Sequence, residues 1–99
     1  GVITLMQAVD KLALMPAQRL EGRVPAMKNK GRVRVGADAD LVVFDPAAVI
    51  DRATYTEPDL PSAGIAHVLV AGEFVVRDGA LLADAAPGRA VRVPATADP

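Results

Sequence analysis

The sequence predicts an α+β chain that is mainly β, with a pair of short N-terminal helices before a small sheet, or half β-sandwich, of about five short strands. Two patterns carry this prediction. Apolar residues recur at helical spacing over residues 4–21, whereas from residue 32 onward they alternate or cluster in short runs between turn residues, as strands do. A length of 99 residues allows one small domain with a thin margin of stability.

Composition narrows the classes of protein to consider. The net charge is −1, with 11 basic and 12 acidic residues interspersed, so no basic stripe supports nucleic-acid binding. The absence of cysteine excludes disulfides and thiolate metal sites, and the apolar runs are too short to cross a bilayer. We expect a cytoplasmic protein without nucleic-acid or membrane partners. Aromatic residues make up only 3%, so the hydrophobic core contains few large side chains. We expect further segments of the protein or a partner to complete the burial of its apolar surface.

The N-terminal segment predicts two helices. Thr4 and Gln7 have the spacing of a capping box, in which each side chain bonds the other residue's backbone N–H. Pro16 is expected to end the first helix near Leu14 and to begin a short second one capped by Gly22. One apolar stripe follows the first helix and needs a surface to pack on; it comprises Leu5, Ala8, Val9, Leu12 and Ala13.

Strand patterns begin after a predicted loop at residues 23–31. Residues 32–35 alternate polar and apolar, which predicts a half-buried strand. Residues 40–45 have a core that is apolar on both faces, which predicts a central strand covered on both sides. The connection at residues 46–64 is irregular and long, a feature often found where a segment is functional or packs on another domain.

The C-terminal half predicts hairpins. Ile65–Val70 and Glu73–Arg77 are joined by the two-residue loop Ala71-Gly72. Asp78-Gly79 predicts a second tight turn into a short strand at residues 80–82. A last strand is predicted at residues 89–93.

Side chains capable of chemistry are few, and most have a structural interpretation. His67 is the only histidine and lies in a strand, where a structural role, facing solvent or hydrogen-bonded, is favoured over a metal ligand or a catalytic triad. Asp38, Asp40 and Asp45 could together bind a hard cation, but their turn positions favour bonds to local backbone.

The hydroxyls of the long connection, in Thr54, Tyr55, Thr56 and Ser62, do not sit in a nucleophile elbow. They are interpreted as loop polarity, with the edge of a substrate pocket in a larger protein as the alternative. The residues alone therefore predict no catalytic and no metal-binding position, and leave substrate-binding positions unknown.

Longer stretches resemble a known family. Pro16-Ala17 followed by GRVRVGADADLVVFD at residues 31–45 resembles the C-terminal signature of the amidohydrolase superfamily. The D-aminoacylase and N-acyl-D-amino-acid deacylase branch is similar to this chain at residues 51–55 with Pro58, 64–72, 75–81 and 87–89. The resemblance as a whole covers roughly residues 4–92. One departure is Ala71, where the family usually has an asparagine that tolerates the positive φ of a tight hairpin turn.

The resemblance implies a two-part parent. Such enzymes have a (β/α)8 barrel that holds one or two divalent metals, usually zinc, and a β-sandwich built from both chain termini. Residues 1–22 would be the helical segment leaving the barrel, residues 23–94 the C-terminal portion of the sandwich, and residues 95–99 a disordered tail. The metal ligands and the catalytic aspartate would lie upstream on barrel strands, so zinc is expected in the full-length parent and not in this segment.

By the same resemblance, the parent would hydrolyse N-acyl-D-amino acids or a related amide, with a metal that polarises the carbonyl and activates water. The segment would support the barrel without being catalytic alone. Its partners would be the remainder of the parent chain and, through exposed strand edges, a second copy. Two alternatives stay open: a stand-alone β-rich interaction or self-association module, and a small metal-binding protein that uses Asp38, Asp40 and His67.

Overall fold

The computed structural model describes residues 1–93, which divide into two compact units. The first comprises residues 1–38 with residues 89–93 and is helical, and the second, Ala39–Gly88, carries the sheet. The tail predicted at residues 95–99 lies outside the described residues. The domain boundaries drawn from the sequence stay a prediction.

The first unit opens with a continuous helical run. The α-helix α1 (Leu5–Val9), a π-helical turn (Asp10–Leu14) and the α-helix α2 (Met15–Glu21) follow one another without a break. The predicted capping box is present, because Gln7 N donates to Thr4 Oγ1 at 3.1 Å and Thr4 N donates to Gln7 Oε1 at 2.8 Å. The start of the helix is therefore determined locally.

The predicted end of the first helix near Leu14 is wrong. Met15 keeps helical angles (φ −60°, ψ −45°), and its N–H bonds Asp10 O, five residues earlier. A proline within a helix lacks a donor and its ring crowds the carbonyl four residues back. The widened π turn directly before Pro16 relieves this conflict and lets the helix continue.

The segment after α2 also differs from the prediction. A 3₁₀-helix, Pro25–Asn29, lies within the predicted loop. Residues 32–35 do not form the predicted strand, and Val33 and Val35 are 88% and 104% exposed. A strand needs a backbone partner, whereas here Arg34 Nη2 donates to Lys28 O at 2.9 Å, so side chains and not a ladder hold this stretch.

Close backbone packing forms the centre of the first unit. Ala17 is its one fully buried side chain among the described residues. Gly31 has φ +69°, and a Cβ there would lie 2.4 Å from Ala13 O and 3.0 Å from Ala17 Cβ. Glycine therefore supplies both the left-handed backbone and the space that lets the loop lie against the helix.

Arg32 ties the same loop to the end of α2. Its Nε donates to Lys30 O at 2.8 Å, and its Nη2 donates to Met27 O at 3.3 Å and to Glu21 Oε2 at 3.4 Å. The planar guanidinium thus joins the 3₁₀-helix, the loop and α2 with one side chain.

The second unit carries an antiparallel sheet of four strands within the described residues. The strands β1 (Leu41–Phe44), β2 (Ile65–Val70), β3 (Glu73–Arg77) and β4 (Ala80–Leu81) lie in the order β1-β2-β3-β4. The mainly β fold class is confirmed. The strand predicted at residues 89–93 is absent, as is the one at residues 32–35, so four strands form in the described chain where about five were expected.

The apolar strand predicted at residues 40–45 exists but lies at the edge of the sheet, so its predicted central position is wrong. Val42 and Val43 remain 54% and 50% exposed. Val42, Val68, Val76 and Leu81 pair in succession from β1 to β4 and form one apolar row across one face.

Both predicted hairpins are confirmed. Ala71 and Gly72 have φ of 52° and 78°, and Asp78 and Gly79 have φ of 50° and 79°. Positive φ at both loop residues is the mark of a type I′ turn, whose twist matches that of the strands. Ala71 therefore adopts the conformation for which the family's usual asparagine is better suited.

The connection at residues 46–64 is irregular, as predicted. Its ends approach through an antiparallel bridge between Ile50 and Ala63. Gly64 follows with φ +84°, and a Cβ on it would lie 2.4 Å from Val49 N, so only glycine fits there.

Candidate functional site

His67 is hydrogen-bonded within the second unit. Its Nδ1 accepts from the backbone N–H of Asp78 at 3.2 Å, and its Nε2 lies 3.7 Å from Asp78 Oδ1. The edge of its ring meets Phe74, with the ring centres 5.6 Å apart and the planes at 74°. The imidazole therefore links β2 to the turn that follows β3.

The three aspartates have separate partners. Asp45 Oδ1 accepts from Ala47 N at 2.9 Å, the local turn bond that its position predicts. Asp40 Oδ1 instead accepts from Ala71 N at 2.8 Å, a residue 31 positions away, because the pairing of β1 with β2 brings the two together. Asp38 pairs with Lys30 at 3.0 Å.

Clusters of potential metal ligands are absent from the described part of the chain. Across residues 1–93, histidine, aspartate and glutamate side chains do not gather in groups of three or more that could hold an ion. The described residues therefore do not fit a zinc site, which needs three or four converging ligands.

The long connection lines a shallow surface cavity of about 320 Å³, bounded by Ala53, Thr54, Tyr55 and Pro58. Thr54 N donates to Glu57 O at 3.1 Å, and Thr54 Oγ1 accepts from Glu57 N at 2.9 Å. These bonds stabilise the turn and leave Tyr55 fully exposed. The Thr54 hydroxyl thus stabilises the loop, and the residues that line the cavity include no base beside a nucleophile.

Two of these contacts were not predicted from the sequence: the bond from Asp78 to His67 and the bond from Ala71 to Asp40. Both join a side chain on one strand to the backbone of a hairpin turn. The turns themselves are visible in the sequence, but the strand register that aligns them is not. Among the described residues, no helix has both the length and the apolar character needed to cross a membrane.

Comparison with known proteins finds a matching family and several similar enzymes. A model described as the amidohydrolase family matches residues 1–76. An N-acyl-D-glutamate deacylase of Alcaligenes xylosoxydans xylosoxydans is 51% identical over 71 residues, which cover 72% of this chain and 14% of that protein. A D-hydantoinase of Geobacillus stearothermophilus is 43% identical over 88 residues, which cover 79% of this chain and 18% of that protein.

A solved structure bears on the fold. The crystal structure of a D-aminoacylase that defines a novel subset of amidohydrolases matches with a TM-score of 0.72 and 38% identity, over 85% of this chain and 17% of that one. The chain therefore spans less than a fifth of the length of the relatives it matches. Members of the matched family are generally metal-dependent. The chain belongs to the amidohydrolase family, in its D-aminoacylase branch.

Proposed function

We propose that this chain is the C-terminal part of a metal-dependent amidohydrolase that hydrolyses N-acyl-D-amino acids or a related amide. Its role there is to support the barrel, and it is not catalytic alone. The single observation that carries the proposal is the likeness to an N-acyl-D-glutamate deacylase over most of this chain but only 14% of that enzyme. The enzyme's remaining length is where a complete active site would lie.

Zinc is the metal proposed for the whole enzyme. The described residues offer no ligand cluster for it, so the ligands would lie outside them. When bound, such an ion polarises the amide carbonyl and lowers the pKa of a bound water. The residues described here take no part in that step.

The partner proposed for this chain is the remainder of the same enzyme. Along α1 and the turn after it, Leu5 and Leu12 of the apolar stripe are 51% and 81% exposed, an unusual state for such a stripe. The sheet likewise leaves the outer edge of β1 without a neighbouring strand within the described residues. We propose that the barrel covers the helix and that strands of the enzyme pair along β1.

Pairing of a second copy of this chain along the β1 edge is disfavoured by the negative charges at both ends of β1. Asp40 and Asp45 flank β1 directly. If two β1 strands paired antiparallel over all four residues, Asp40 of one copy would face Asp45 of the other. Like charges placed directly opposite destabilise a strand pair. An enzyme strand flanked by basic residues would instead complement this edge.

The catalytic proposal is tested with the complete enzyme that contains these residues. We expect it to release acetate from N-acetyl-D-glutamate and not from the L-enantiomer, to lose activity with a chelator, and to recover it with zinc. Activity on hydantoins alone would exclude N-acyl-D-amino acids as the substrate and would leave only a related amide, as the name of the D-hydantoinase relative suggests.

The supporting role is tested with the 99-residue chain itself. We expect no deacylation by this chain in the presence of zinc, and chelator-sensitive turnover would refute that role. The same preparation tests the stand-alone alternative, since self-association or partner binding by the folded chain without its enzyme would favour an independent module. The cytoplasmic location stays a prediction.

A further inference from the structure

The second hairpin turn, Asp78-Gly79, is held to β2 by two backbone donors. Asp78 N donates to His67 Nδ1 at 3.2 Å, and Gly79 N donates to Ala66 O at 2.8 Å. The strand after the turn, β4, has only two residues, paired with the end of β3. Few bonds hold this end of the sheet, so the loss of one of them alters it substantially.

The bond to His67 depends on the protonation state of the ring. A neutral imidazole has one nitrogen that accepts and one that donates, whereas both nitrogens of an imidazolium donate. Because Nδ1 accepts from the Asp78 backbone, the ring proton belongs on Nε2, which lies 3.7 Å from Asp78 Oδ1. A proton added to Nδ1 would face the Asp78 N–H, and two donors cannot bond each other.

The charged groups around the ring are few. From β3, the Arg77 guanidinium lies 4.6 Å from the centre of the Phe74 ring, whose other contact is with His67. Glu73 lies at the far end of β3, opposite Val70. From β1, Leu41–Phe44 contributes no titratable group. The Asp78 carboxylate is therefore the charged group that faces the imidazole directly.

We propose that His67 is a pH-sensitive latch for the β3–β4 turn. When its ring is neutral, His67 accepts from the Asp78 backbone and holds the turn on β2. As the pH falls, the ring gains a proton, this bond is lost, and the imidazolium exchanges its backbone partner for the Asp78 carboxylate. The turn and β4 are then held by the Gly79 N–H, the two β4 pairs and the bond from Leu82 N to Val75 O.

The test follows the Asp78 amide and the His67 ring by NMR in the intact chain between pH 5 and 8. Exchange rates are converted to protection factors, which removes the direct effect of pH on amide exchange. We expect the protection factor of the Asp78 amide to fall on the order of tenfold, the factor for about one net hydrogen bond. The midpoint pH of this fall should equal the midpoint pH at which the His67 ring protonates. Unchanged protection of Asp78 while the ring protonates would overturn the proposal.

Two variants separate the backbone bond from other effects of acid. His67→Gln keeps an acceptor that does not titrate, so Asp78 is expected to stay protected at both ends of the pH range. Asp78→Asn keeps the backbone N–H and removes the carboxylate, so its amide should still lose protection when the ring protonates. Equal loss of protection on acidification in His67→Gln would assign the effect to another group and refute the latch.

Discussion

The close approach of Gly31 to the helix makes a quantitative prediction about the first unit. In Gly31→Ala, the new Cβ would lie 2.4 Å from Ala13 O and 2.8 Å from Ala13 C, both backbone atoms of the helix. Neither atom can move without displacing the helical run, because the run continues through Leu14 into α2. The loop must therefore separate from the one fully buried side chain, Ala17.

Two costs add in this variant. A non-glycine residue in the left-handed region costs about 1–2 kcal/mol. Forcing an extra carbon into a filled space costs about 1–3 kcal/mol more. The expected loss in free energy of unfolding is therefore about 2–5 kcal/mol, a large share of the stability of a small domain.

Matched glycines in the same unit separate the two costs. Gly36 has φ +87° but open space around it, so Gly36→Ala should show only the backbone cost of about 1–2 kcal/mol. Gly22 has a helical φ of −66° and open space, so Gly22→Ala should be neutral or stabilising by about 0.4–1 kcal/mol.

Urea unfolding followed by circular dichroism measures the series. The midpoint should order as Gly22→Ala, wild type, Gly36→Ala and then Gly31→Ala, with the last lowered by about 1–3 M. If Gly31→Ala and Gly36→Ala lower stability equally, the close approach to Ala13 contributes nothing and the packing described for this unit is wrong.

Further predictions concern the hairpin and the loop after α2. Ala71→Asn should stabilise the sheet by about 0.5–1 kcal/mol, since asparagine tolerates positive φ, and an unchanged thermal midpoint would contradict the turn type. Asp40→Ala should cost about 0.5–1.5 kcal/mol by removing the acceptor for the Ala71 N–H, whereas Asp40→Asn keeps an oxygen there and should cost less; equal losses in urea would argue against that bond. Arg32→Lys keeps the charge, but a lysine ammonium cannot bond Lys30 O, Met27 O and Glu21 together. The free energy of unfolding should therefore fall by about 1–2 kcal/mol. Full retention of stability would show that the guanidinium group is not needed.

Features encoded by a few neighbouring residues were predictable. The capping box of Thr4 and Gln7 and the local bond of Asp45 to Ala47 involve groups two or three positions apart, whose geometry follows from the backbone near them. The two hairpins belong to the same class, because two loop residues set the reversal of the chain, whereas the type I′ geometry at Ala71-Gly72 came from the structure. The family signature, read over residues 31–45, likewise needed no tertiary information.

Features that depend on residues far apart in the sequence were not predictable. Alternation at residues 32–35 indicates which faces a strand would have, but not whether a second strand will pair with it. The apolar run of β1 was compatible with a covered central strand, and its edge position follows only from the order of the sheet. At Pro16, the choice between a broken helix and a π turn depends on whether continuing the helix gains packing, here of Ala17 against Gly31.

The sequence by itself thus determined the helix start, the turns, the fold class and the family, since each depends on short-range geometry or on a specific string of residues. Tertiary structure alone decided the strand order, the bond from the Asp78 backbone to His67 and the bond from the Ala71 backbone to Asp40. The physical reason is that hydrogen bonds between distant residues form only after the strand register has brought their donors and acceptors together.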